Sequence, residues 1–312
     1  VVDLLAAAAV AGREFDLTRL AEVTGLAPAW AAQAVDVAAR AGVVERAGPG
    51  RARFAHDLFR EVLYDGTDAG RRSAVHLAVA EMLEGDDPNA HAGEIAHHRT
   101  AALPAGDRDR AVEALAGAAR EATARRAFDE AAAHLRRVLD ITGGPGVADL
   151  TTLCDLGDAL RRAGRGDEAR DAFSDAAQRA RAARDGTISA RAAFGLHRVT
   201  TMTDRSRAGV IATLEAALAG EGGMRWLLTA ALARELSDGL HRDLRRATSL
   251  AEAAVAGARA EGDAASLAYA LFALADVRWE PGTATERLRI ADHLAAAAAA
   301  AGEIELVLEA QL

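Results

Sequence analysis

The sequence predicts an all-α fold in two parts, a small three-helix domain carrying one β-hairpin and then an array of paired helices. Three observations predict it. Aromatic residues are only 4% of the 312-residue chain, and β-branched runs are few, so little of it suits a sheet. Alanine supplies about a quarter of the residues; it is the strongest helix former, and its small side chain lets helices approach closely. From residue 90 onward, helical segments alternate with short Gly- or Asp-bearing loops, the pattern of a repeating helix pair.

Residues 1–84 form the first part. Helical patterns cover roughly 1–10, 17–24 and 28–41. Asp16 is placed to cap the second helix and Pro28 opens the third. Two brief extended runs, Val43–Arg46 and Arg51–Phe54, flank Ala47-Gly48-Pro49-Gly50 and read as a hairpin. Three helices followed by a hairpin is the winged-helix order. A helical stretch from about 56 to 84 follows, with a break near Gly66–Gly70. The breaker Gly85-Asp86-Asp87-Pro88-Asn89 sets the expected domain boundary.

Residues 85–312 form the second part, a tetratricopeptide-like array. Its clearest repeat runs from Leu153 to Ala176. Leu153, Leu156 and Leu160 share one helix face at i, i+3, i+7. Gly157 and Ala169 are small where paired helices touch, Gly164 ends the first helix at a position favouring positive φ, and Phe173 plugs the groove toward the next repeat. A looser copy spans Ala111–Leu115 and Phe128–Leu139. Weaker ones are Leu227–Leu236 with Leu244–Val255, and Leu267–Val277 with Leu288–Leu294. A helix near Ile304 shows no partner, which points to an array interrupted before a polar cap. The start, which lacks Met, likewise points to a piece of a longer protein.

Composition excludes several chemistries. There is no lysine; all 37 basic residues are arginine. A phosphate-binding loop of the usual kind, a Schiff base and a kinase-type Lys are therefore excluded within this chain. The single Cys, Cys154, forbids an intrachain disulfide, fits a reducing cytoplasmic compartment and reads as a small core residue. No stretch reads as a signal peptide or membrane span. Residues 1–85 hold 9 Arg against 12 Asp and Glu. The candidate groove helix offers only Gln33, Asp36 and Arg40, so the hairpin cations Arg46, Arg51 and Arg53 are weak support for nucleic-acid binding.

Three histidine-carboxylate patterns are candidates for metal sites. His91, Glu94 and His98 fall at i, i+3, i+7, Glu94-x-x-His97 is half of a di-iron helix motif, and Glu130-x-x-x-His134 has the wrong spacing for the other half. Capping and face packing account for all three, so no metal, cofactor or catalytic residue is expected. The glycine clusters Gly143–Gly146 and Gly220–Gly223 read as loops. Arg125-Arg126, Arg136-Arg137, Arg161-Arg162 and Arg245-Arg246 read as solvated faces, one of which is a candidate lining for an acidic partner.

One set of strings resembles a known family. Phe54-Ala-His56-Asp57-Leu58-Phe-Arg60-Glu61-Val-Leu63-Tyr64, Arg71-Arg72 and His76-Leu77 through Leu83 are similar to the joint after the nucleotide-binding core of large ATP-binding regulators of the LuxR type, which are AAA-like signalling ATPases. Ala8–Phe15, Leu20–Leu26, Glu94–His98 and Ala127–Ala131 are similar to neighbouring parts of the same family. The likeness covers about 1–180 and is generic beyond. It implies an interdomain motif of Phe54, His56, Asp57, Arg60, Glu61, Tyr64 and His76. It also implies a nucleotide-binding domain before the winged helix, a helical sensor array after it, and often a terminal DNA-binding module. The nucleotide core and DNA-binding end are absent here, so ATP or ADP belongs only to a longer parent. The expected function is a non-catalytic sensor scaffold that binds a protein or small molecule on the array's concave face and couples it to a nucleotide domain. The alternative is a stand-alone tetratricopeptide adaptor.

Overall fold

The computed structural model describes residues 1–143, 147–200, 207–238 and 242–311. It is helical apart from one small sheet, and it divides into two compact units, Val1–Thr142 and Gly143–Leu312. Among the described residues no helix is long and apolar enough to cross a membrane.

In the first unit, α1 (Val2–Ala11), α2 (Leu17–Thr24) and α3 (Pro28–Arg40) close over a three-stranded antiparallel sheet of β1 (Glu14–Asp16), β2 (Val44–Gly48) and β3 (Arg51–Phe54), in the order β1-β3-β2. The Asp16 carboxylate accepts from Thr18 N at 2.8 Å and Arg19 N at 3.1 Å, which fixes the start of α2. Gly25, at φ 67°, ends it. Leu4, Phe15, Leu20, Val35, Val44 and Phe54 make the core, with Phe15 and Phe54 rings 5.5 Å apart. Strand β1 adds to the expected hairpin. Three residues are too short to show alternation, and the last of them, Asp16, signals only a helix cap.

Five helices complete the unit: α4 (Asp57–Asp65), α5 (Ala69–Asp86), α6 (Ala92–Ala101), α7 (Arg108–Ala124) and α8 (Phe128–Thr142). From α5 on, each packs against the next. The breaker at 85–89 ends α5 without ending the compact unit. Arg99 of α6 has its side chain 2% exposed and holds Glu84 of α5 with two bonds of 2.8 and 2.7 Å, while Arg110 of α7 reaches the same carboxylate at 3.2 Å. The change from sheet-bearing segment to helix pairs and the limit of compactness are therefore different places in the chain.

The second unit is a helix stack: α9 (Val147–Arg162), α10 (Gly166–Ala183), α11 (Gly186–Thr200), α12 (Arg207–Leu218), α13 (Arg225–Ser237), α14 (Leu244–Glu261), α15 (Ala264–Val277), α16 (Ala284–Ala301) and α17 (Ile304–Glu309). Each helix packs on the next, and α9, α11, α13, α15 and α17 pack in succession, the contact scheme of stacked helix pairs. Alanine makes close stacking geometrically possible. Ala247, Ala251, Ala254 and Ala258 form one inward stripe of α14, all with no exposed surface. The helix at Ile304, expected to lack a partner, packs on α15 and α16 with Leu306 buried. Its six residues are too few to show a periodic face. Most of the Gly143–Gly146 cluster lies outside the described residues.

Candidate functional site

The repeat residues around α9 and α10 form a packed joint. Leu153, Leu156 and Leu160 are buried on α9, Ala169 and Phe173 are wholly buried on α10, and Gly164 turns the chain at φ 78°. The Phe173 ring occupies the space where two Cβ atoms would otherwise stand. A Cβ on Gly157 of α9 would lie 2.7 Å from it, and one on Gly195 of α11 would lie 2.3 Å from it. One ring thus keys three helices together. Cys154 has no exposed surface, and burial pushes its thiol up to about 12, which favours the protonated form.

The seven residues expected to form an interdomain motif separate into those that pack inward and those that face out. Phe54 is core. His56 caps α4, its Nδ1 accepting from Leu58 N at 3.1 Å, and Asp57 lies 3.3 Å from Arg13. Tyr64 Oη meets Nε2 of buried His76 at 3.1 Å, and Arg72 Nη1 donates to the Tyr64 carbonyl at 3.1 Å. Arg60 is half-buried and Glu61 exposed. Helix α4 buries none of its residues fully, and Leu58, Phe59 and Val62 are 58%, 41% and 64% exposed. On α3, Trp30 and Val37 are also exposed, beside Gln33 and Arg40. All three hairpin arginines are held by carboxylates: Arg46 by Asp36, Arg51 by Glu14 at 3.5 Å and Arg53 by Glu45 at 2.9 Å.

His76 also meets His98 of α6, Nδ1 to Nδ1, at 2.8 Å. Burial, with His97 and Arg72 nearby, pushes His76 down to about 4. Burial, with His76 and His97, pushes His98 down to about 3. Both are neutral at pH 7, so one Nδ1 donates and the other accepts. The candidate grouping of His91, Glu94 and His98 is not assembled: His91 lies 3.7 Å from Glu94, whereas His98 is turned inward to His76. Glu130 and His134 lie 3.7 Å apart. A sequence separation of 22 residues hides the His76–His98 pair, which the packing of α5 on α6 brings together.

The second unit holds a buried polar centre that no motif signals. His197 of α11 has no exposed surface. Its Nδ1 lies 2.6 Å from Glu235 Oε1 of α13 and its Nε2 lies 2.6 Å from Tyr269 Oη of α15. Arg234 donates to Tyr269 Oη at 3.0 Å and to Asp276 at 2.7 Å, and its guanidinium stacks 4.2 Å from the Phe272 ring centroid. Burial lowers His197, opposed by its bond to Glu235. His197 and Glu235 are both buried, and the Glu–His–Tyr chain of contacts ties α11, α13 and α15 together. Beside it, Arg207, Arg234, Ser237, Asp238, Asp276 and the 70%-exposed Trp279 line a cleft of about 290 Å³. A second cleft, about 350 Å³, is lined from α10, α11 and α12 by Ser174, Gln178, Arg181, Ser189, Leu196 and Thr213 among others.

No family model and no curated protein matches the chain. Among solved structures, a kinesin light chain candidate from Podosopora anserina with nearly identical TPR-like repeats aligns at 18% identity and TM-score 0.47, covering 63% of this chain and 99% of that one. A point variant of that protein aligns at 17% identity and TM-score 0.48, covering 61% and 96%. A Signal Transduction ATPase with Numerous Domains with a tetratricopeptide repeat sensor, from Pyrococcus horikoshii, aligns at 12% identity and TM-score 0.47, covering 99% of this chain and 52% of that one.

Proposed function

We propose that this chain is a non-catalytic sensor scaffold from a multidomain, ATP-dependent transcriptional regulator of the LuxR type. Its winged-helix-like segment (residues 1–84) is the joint to a nucleotide-binding domain, and the tetratricopeptide-like array (85–312) is the ligand- or protein-binding part. The carrying observation is α4. It stands in the motif that resembles the family's interdomain joint, its start and end are fixed by His56 and Tyr64, and it turns Leu58, Phe59 and Val62 outward. Burying side chains of this kind contributes about 1.5–3 kcal/mol each, so a docked domain is the natural cover. The clefts of the second unit are the ligand-binding places, and binding there would bias the joint between two packings. ATP or ADP would sit in the partner domain. Nucleic acid is not part of this reading, since the hairpin cations are already paired and the outward face of α3 is largely apolar. A cytoplasmic location completes it, Cys154 being a lone buried thiol.

The alternative is a stand-alone adaptor; the mixed lining of the α10–α12 cleft, with Gln178, Arg181 and Ser189, favours a bound peptide without requiring a nucleotide domain. The parent's reading frame distinguishes the two, by a Gly-rich loop ending in Lys-Ser or Lys-Thr upstream of Val1. The direct test is calorimetric titration of this chain with that nucleotide-binding domain, with and without Leu58→Asp and Val62→Asp together. Exposed positions tolerate such changes within about 0.5 kcal/mol of stability, so unchanged melting with at least tenfold weaker docking is expected. Equal docking by wild type and variant would remove α4 from the joint.

A further inference from the structure

We infer that His76, His97 and His98 form a binding site for a divalent transition-metal ion of the zinc class, open on one side to the cleft between α6, α7 and α8. This goes beyond the sensor-scaffold reading and does not depend on it.

The three imidazoles each offer a nitrogen, and these atoms all lie within 4.8 Å of one another. Three nitrogens bound to one zinc at about 2.0–2.1 Å in tetrahedral geometry stand about 3.3 Å apart. The His76 and His98 Nδ1 atoms, at 2.8 Å, need to part by about 0.5 Å. His97 is exposed at the cleft edge, so it is free to make the inward swing of at most about 1.5 Å that the ion requires. The ring centroids of the three pairs stand 5.0–5.8 Å apart.

Two further features suit an ion. Tyr64 holds the far nitrogen of His76 at 3.1 Å, the outer hydrogen bond that orients a metal-bound imidazole. In the metal-free state the consistent proton arrangement is Tyr64 O–H to His76 Nε2 and His76 Nδ1–H to His98 Nδ1. On binding, the His76 proton moves to Nε2 and is donated to the Tyr64 oxygen, both Nδ1 lone pairs face the ion, and no net proton is released. The second feature is access. His97 lines a cleft of about 410 Å³ with Gly93, Thr100, Leu115, His134 and Arg137, which leaves room for water in a fourth position. An ion here would pin α6 to α5 and, through Tyr64, steady α4.

The test uses the full chain without an affinity tag, stripped with a chelator, and zinc chloride as the probe. Calorimetry should give one saturable equivalent, and cobalt chloride should give the intense visible bands of a four-coordinate ion. His97→Ala removes an exposed ligand without disturbing the core and should weaken zinc binding at least tenfold. Tyr64→Phe should weaken it about tenfold, the range for an outer hydrogen bond. His91→Ala and His134→Ala should bind as wild type. Absence of a saturable equivalent, unchanged affinity in His97→Ala, or loss in His91→Ala to the same extent would overturn the site; in the first case a proton alone bridges His76 and His98.

Discussion

At the scale of single residues, the second unit depends on contacts too close for a Cβ. Phe173 lies where methyl groups on Gly157 and Gly195 would stand. Gly195→Ala should therefore destabilise by about 1–3 kcal/mol through overpacking, read as a lower urea midpoint with an unchanged slope. The Leu153, Leu156 and Leu160 pattern is legible because its spacing repeats along one helix, α9; Gly195 is not, because it meets Phe173 from α11, the helix after the one that carries Phe173. The buried histidines give a second expectation. His76 and His98 titrate near 4 and 3 when folded and near 6.5 when unfolded, and His197 is shifted the same way. Between those limits the unfolded chain binds more protons, so stability rises with pH in that window, is fully present above about 6.5 and is lost as pH falls toward 4. Urea unfolding of chelated protein at pH 7 and pH 5 should show a clear loss at pH 5; equal midpoints would mean that these rings are hydrated.

Helices are tied together by two kinds of contact, and only one is readable in sequence. Apolar faces at helical spacing, such as Ala247–Ala258 on α14, announce themselves. The polar ties do not, because their partners come from different helices. Glu235 and Tyr269 stand 38 and 72 residues from His197 along the chain, so no local motif holds them. The same physics explains the three-residue strand β1, which is defined by pairing with β3 and not by its own pattern. Tyr269→Phe deletes one hydroxyl shared by His197 and Arg234 and leaves both short of a partner. It should cost about 1–3 kcal/mol, measured by chemical denaturation. No change in midpoint would mean that water satisfies both groups.

At the scale of the whole molecule, the cations, histidine and thiol that could carry chemistry are paired or buried, whereas the apolar side chains of α4 stay uncovered. The arginines of the hairpin pair with carboxylates, the histidine at the centre of the second unit is sealed, and the thiol is buried. What faces outward on α4 is Leu58, Phe59 and Val62. All-α character and helix pairing are legible from alanine content and loop punctuation. The limit of the first compact unit, at Thr142, is not, because the Arg99–Glu84–Arg110 bridge across the breaker at 85–89 carries no sequence signature. Amide hydrogen exchange across residues 57–65, compared between this chain alone and its full-length parent loaded with ADP or with ATP, tests the scaffold reading most directly. Fast exchange in the isolated chain, with protection in the parent that differs between the two nucleotides, is the result expected of a docked joint. The same exchange in all three samples would contradict it.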